Sequence, residues 1–72
     1  MTLDMVRRGD SVRILKINDP QVRVQALRFG IGEGSDVSCS ENVPAGPIVV
    51  RRSRQEIAIG RGIARSISVE AL

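Results

Sequence analysis

The chain has no histidine, tryptophan or tyrosine, and only one cysteine and one phenylalanine among its 72 residues. Without histidine it lacks the side chain whose ordinary pKa lies near neutrality, so the commonest general base is missing. A catalytic thiolate at Cys39 would have no imidazole partner, and its alternation with Val37 onto an apolar face reads as packing. One cysteine and no histidine cannot complete a closed transition-metal site within one chain, so no resident iron or zinc and no other cofactor is expected. The lone cysteine excludes an internal disulfide. No apolar run approaches a span of about 20 residues or resembles a signal peptide, so a reducing, cytoplasmic setting is the default expectation. With one aromatic ring, the chain also lacks the platforms on which nucleic-acid bases stack.

Aliphatic residues are plentiful, and the formal net charge is +3, with acidic and basic residues interspersed. The length suits one domain over residues 1–72, and a chain this short buries only about 60–65% of its unfolded surface. Its core is therefore expected to be small, aliphatic and closely packed.

The strongest local pattern is Gln21 to Gly34. Asp19 is an N-cap acceptor and Pro20 a first-turn residue, which predicts a helix over about residues 20–29. Val22, Ala26 and Phe29 recur at i, i+4 and i+7 and are expected to form its buried face, with Arg23 and Arg28 on the other side. Gly30 supplies a left-handed helix stop, Ile31 packs back on the last turn, and Gly34 turns the chain into the next strand. Leu27 lies off the buried stripe. It is either a second core contact, the preferred reading, or an exposed apolar anchor for a partner.

Strands are predicted around this unit. Ser11 to Ile17 is β-rich, and its alternation slips through Leu15 and Ile17, which suggests a bulge or a strand covered on both faces. Ser35 to Glu41 alternates cleanly, with Val37 and Cys39 on one face. Asn42 to Pro47 is a loop, Ile48 to Arg52 and Glu56 to Ile59 make a hairpin, and Ile67 to Val69 closes the sheet. Leu3, Met5 and Val6 can lay apolar side chains against one end. Gly60 to Ser66, with two glycines, is expected to hold a loose or 3₁₀ turn near residues 61–65. Short strands at short spacing with one inserted helix indicate a mainly β fold, a small bent barrel.

Arg51, Arg52 and Arg54 form a basic cluster at the hairpin, which keeps a nucleic-acid-binding barrel open as an alternative. The glycines around Gly32 do not make a phosphate loop, because they follow a helix and precede a strand. No two carboxylates are placed together by local spacing, so no enzyme activity is expected.

The order of features resembles a known family. Gly9 before the strand Ser11 to Ile17, then Phe29-Gly30-Ile31, Gly34, Gly46-Pro47-Ile48, Ile57-Ala58-Ile59, and finally Ala64, Ile67 and Val69 together resemble ferrous-iron transport protein A (FeoA) over nearly the whole chain. Ala26 stands where that family commonly has a larger aliphatic residue, Glu33 replaces a turn proline, and the loop lacks an Asp between Gly46 and Pro47. Gly60 and Gly62 fall where charged residues are usual. The resemblance implies an SH3-like β-barrel and a non-catalytic accessory role in ferrous-iron transport. It implies binding to the cytoplasmic, GTPase-bearing region of the transporter FeoB, with no membrane insertion of its own. Arg23, Leu27 and Arg28 on the helix and Pro44, Gly46 and Pro47 in the loop are the candidate contacts. Similar domains serve as regulatory modules of iron-responsive repressors, which is a second alternative.

Overall fold

The structure, a computed structural model, describes residues 1–72. Five strands form one antiparallel sheet: β1 (Ser11–Ile17), β2 (Asp36–Asn42), β3 (Ile48–Arg52), β4 (Gln55–Ile59) and β5 (Ile67–Ala71), in the order β4-β3-β2-β1-β5. Helix α1 (Pro20–Arg28) links β1 to β2, and the four-residue helix α2 (Arg61–Ala64) links β4 to β5. A 3₁₀ turn occupies Leu3–Met5. Gly60 at the cap and Gly62 inside α2 do not prevent one α-helical turn, which Ala64 and Arg65 close by donating to the carbonyls of Gly60 and Arg61. The expected loose or 3₁₀ turn is in fact α-helical.

Period-two burial along the strands places Val12, Ile14, Val37, Ile48, Val50, Ile57, Ile59, Ile67 and Val69 on the concave face. All 17 buried residues are apolar and belong to one cluster, so the core is held by aliphatic packing with no buried charge to satisfy. Strand β1 slips against β5 between Ile14 and Lys16, which ejects Leu15, and β2 slips against β3 between Cys39 and Glu41. Such bulges bend and twist strands, which lets a sheet this small curl over its own core. The curl does not close with backbone hydrogen bonds, because no ladder joins β4 to β5. The barrel is open there, and α1 and α2 stand over the gap.

Helix α1 begins as the sequence indicates. The Asp19 carboxylate accepts from Gln21 N–H at 2.9 Å, and Pro20 is the first helical residue. Its end follows the Schellman pattern: Gly30, at φ +75°, donates to Leu27 O at 3.0 Å, and Ile31 N–H donates to Ala26 O at 2.9 Å. This pattern reverses the chain so sharply that Ile31, 1% exposed, fills the place over Ala26. Phe29 is the cap residue itself, with φ −91° and ψ 2°, and its side chain swings off the helical stripe to be 51% exposed. The expectation of a core phenylalanine is overturned for that reason. Leu27 is 64% exposed, so the preferred reading of it as a core contact also fails. At the other end of the chain Leu3 and Val6 are buried as expected, whereas Met5 is exposed.

Candidate functional site

The gap between β4 and β5 is a cleft. One wall is α1, through Val22, Ala26 and Phe29; the other is the end of β4 with α2, through Ala58, Ile59 and Ile63; Ile31 and Ile67 lie between them. Its volume is about 380 Å³, within the range of small-ligand and peptide-side-chain pockets. A second, shallower hollow of about 370 Å³ continues toward the β3–β4 turn past Gln55, Glu56 and Ile57. Arg28, Phe29 and Ala58 border both hollows, so together they make one trough along the outer side of β4. The trough is apolar at the α2 end and polar at the hairpin end.

Strand β4 is the free edge of the sheet. The hairpin turns on Ser53 and Arg54 alone, with Arg52 opposite Gln55, and the pairing is regular to Ile48 opposite Ile59. In a two-residue hairpin the flanking pair is hydrogen-bonded and the bonded pairs then alternate, so Gln55, Ile57 and Ile59 bond to β3. Glu56 and Ala58 therefore turn their backbone N–H and C=O groups outward, into the trough. The opposite edge, β5, is covered: Val69 N–H donates to Met1 O at 2.8 Å, and Thr2 bridges Ser68.

The sequence-expected contacts divide between three places. Arg28 borders the trough and makes no ion pair. Arg23 is engaged in the fold: it donates to Ile17 O at 3.0 Å and lies 3.6 Å from Glu33, whose carboxylate accepts from Ile17 N–H at 3.3 Å. The two side chains together serve the last backbone groups of β1, which explains why a glutamate suits the turn. Leu27 is exposed, with Cδ2 about 3.9 Å from where a Cβ on Gly32 would stand, and it is outside the trough. Pro44, Gly46 and Pro47 contribute nothing to the trough. Their loop turns at Ala45, φ +58°, with Gly46 N–H donating to Val43 O at 2.8 Å, and a Cβ on Gly46 would meet Val43 Cγ1 at 2.8 Å. Gly46 is thus required for close approach within the turn.

That loop is tied down by a residue the sequence reading passed over. Arg61 donates to Asn42 Oδ1 at 2.5 Å, Val43 O at 2.7 Å and Asp4 O at 3.3 Å, while Asn42 Nδ2 donates to Asp4 O and Val6 O. Its Nε is buried without a partner. An arginine between two glycines gave no sequence signal, because its partners are carbonyls far along the chain.

The hairpin arginines do not act as one cationic patch. Arg51 pairs with Glu56 at 2.5 Å and Arg52 bonds the carbonyl of Gly30, which leaves Arg54 alone at the tip. Cys39 is 3% exposed, and burial pushes its thiol pKa up, with a smaller opposing effect of a backbone hydrogen bond from Glu41. That is the environment of an unreactive packing cysteine. No helix is long and apolar enough to cross a membrane.

Comparison with known proteins bears on this geometry. A family model described as the FeoA domain matches residues 1–71. The crystal structure of an iron uptake regulatory protein (FeoA) is similar at a TM-score of 0.91 and 26% identity, covering 100% of this chain and 97% of that one. The solution structure of an FeoA protein from Chlorobium tepidum is similar at 0.87 and 26%, covering 100% of this chain and 70% of that one. A manganese-dependent transcriptional repressor is similar at 0.88 and 27%, with this chain spanning 41% of its length. No curated protein matches the chain in sequence.

Proposed function

The chain belongs to the FeoA domain family, and from that premise we propose that it is a non-catalytic accessory of ferrous-iron transport that binds the cytoplasmic region of the transporter FeoB. Family membership supports a role in ferrous-iron transport systems, and members are small accessory domains. The observation that carries the binding role is the trough beside β4, an apolar cleft continuous with a free sheet edge and bordered by the unpaired Arg28. Monomeric folds rarely leave an apolar cleft and an unprotected strand edge side by side unless a partner uses them.

The test is a titration of isotope-labelled protein with the soluble cytoplasmic domain of the cognate transporter, read by amide NMR shifts. Shifts gathered on Arg28 to Ile31 and Gln55 to Ile63 are expected. Shifts gathered instead on Leu27 with Pro44 to Pro47 would move the contact to the surface that the sequence alone favours. No shift up to about millimolar concentration, an affinity too weak to support a specific complex, would refute the binding role.

A further inference from the structure

The geometry points to strand addition as the mode of recognition: β4 accepts a short, extended, acidic-apolar segment of a partner as a sixth strand, antiparallel or parallel to it. This rests on the accessory reading above and states what the partner must present.

Four observations converge on it. Glu56 and Ala58 turn two N–H and two C=O groups into the trough, none of them bonded within the chain, and a strand laid beside them satisfies all four. Helix α1 stands across the trough from the edge, but the edge itself carries none of the usual protections. It has no proline, lysine or bulge, and its one charge, Glu56, is neutralised by Arg51 at 2.5 Å. The opposite edge is occupied at its middle by the N-terminal segment, through Met1 and Thr2 at Val69 and Ser68, so β4 is the edge left free along its whole length. Finally, the trough is the right shape. It runs the five residues of β4, about 17 Å at strand rise, and ends in an apolar cleft walled by Ala26, Ile59 and Ile63 that takes an aliphatic side chain from the added strand.

Charge selects the occupant. Arg28 borders the trough and Arg54 stands at its hairpin end, both without an ion pair, while the one carboxylate along the edge is already neutralised. A segment with an aliphatic residue at the α2 end and carboxylates toward the hairpin is complementary in both halves; a basic segment is repelled.

The experiment uses a fluorescent, blocked six-residue peptide with valines in one half and glutamates in the other, a lysine-for-glutamate version, and a version N-methylated at alternate amides. The acidic peptide is expected to bind, the other two at least about tenfold more weakly, as loss of backbone donors or reversal of charge requires. In the complex the amides of Glu56 and Ala58 are expected to gain protection from hydrogen exchange. Ala58→Pro removes an outward N–H without touching the β3 ladder, a position where an edge strand tolerates proline, so it should abolish binding with little change in melting temperature. Arg28→Glu, on the surface of α1, gives the same loss if Ala58→Pro does not fold. Equal binding of all three peptides, or unchanged binding by both variants, overturns the proposal. So does a wild-type dimer in solution that Ala58→Pro renders monomeric and that no peptide dissociates, because a second copy is then the occupant. If the transporter's cytoplasmic domain binds wild type and both variants alike, strand addition fails while the accessory role stands. If the acidic peptide binds with the expected pattern and that domain does not, strand addition stands and the choice of partner fails.

Discussion

Truncating the two residues on either side of Gly30 separates a core plug from a cleft border. Ile31→Ala removes three carbon groups from a side chain 1% exposed, at about 0.8 kcal/mol each, or about 2.4 kcal/mol of lost transfer. The cavity contribution is small because Ile31 lines the open cleft, so the space merges with solvent instead of forming a sealed void. The expected loss is about 2.5–3 kcal/mol. Phe29→Ala, at a side chain 51% exposed, forfeits about half of a full-burial gain, about 1 kcal/mol, and leaves no void.

A domain of this length has a total stability of about 4–11 kcal/mol, so the first change removes a large fraction and the second a small one. The melting temperature should fall by roughly 10–20 °C for Ile31→Ala and by less than about 8 °C for Phe29→Ala. Urea denaturation followed by far-ultraviolet circular dichroism measures both on one scale. If Phe29→Ala costs about 3–5 kcal/mol, as a buried aromatic would, or costs more than Ile31→Ala, the helix does not end in the reversal described and the cleft is already filled by the ring.

Ser53 holds a positive φ of 55° at the first central position of a two-residue hairpin while Arg54 does not, the type II′ arrangement that favours glycine; Ser53→Gly should raise stability by about 0.5–1 kcal/mol in a thermal melt, and a fall would contradict it. Arg61→Ala should cost about 2 kcal/mol and speed hydrogen exchange at Val6 and Val43, since three charge-assisted bonds to Asn42, Val43 and Asp4 are lost together; a cost under about 0.5 kcal/mol would show that the network is ornamental. The hydrogen bond from Arg13 at 2.8 Å holds the Asp36 carboxyl below its ordinary pKa of 3.8. A folded-state pKa lowered in this way contributes stability that is complete above 3.8 and is lost as pH falls through the lowered value. The stability gap between wild type and Asp36→Asn should therefore be small, present near neutrality and shrinking as pH falls below 3.8; a gap that widens on acidification would reverse the sign.

Much of the fold could be read from short-range chemistry. The bounds of β1 and β3, the Asp19 cap, the Gly30 stop and the Ile31 latch all follow from local rules, and of the two readings that the slip at Leu15 allows, the bulge is the one formed. Phe29 failed because a periodic stripe was extended one residue past the helix, where cap dihedrals no longer follow the 3.6 period. Leu27 failed because its position on α1 is apolar without being covered. The trough was legible only in part: Arg28 was identified, but the wall from β4 and α2 depends on which strands end up at the sheet edge, a property of topology. Arg61 was invisible for a similar reason, since it bonds carbonyls at Asp4 and Val43 that carry no side-chain signature.

The asymmetry between the two sheet edges sets a valence. With the middle of β5 occupied by residues 1 and 2 and β4 bare, each chain has one full-length edge where a further strand can be joined. Filaments need two such places per copy, so the fold resists fibrous growth even though β4 carries no gatekeeping proline or lysine. Two copies meeting edge to edge would close each other off in a twofold pair, and a third would find nothing to attach to. If a partner binds by strand addition, each chain seats one segment, and a copy engaged with its twin is withdrawn from that partner. Chain concentration would then govern how much of the protein is free to work.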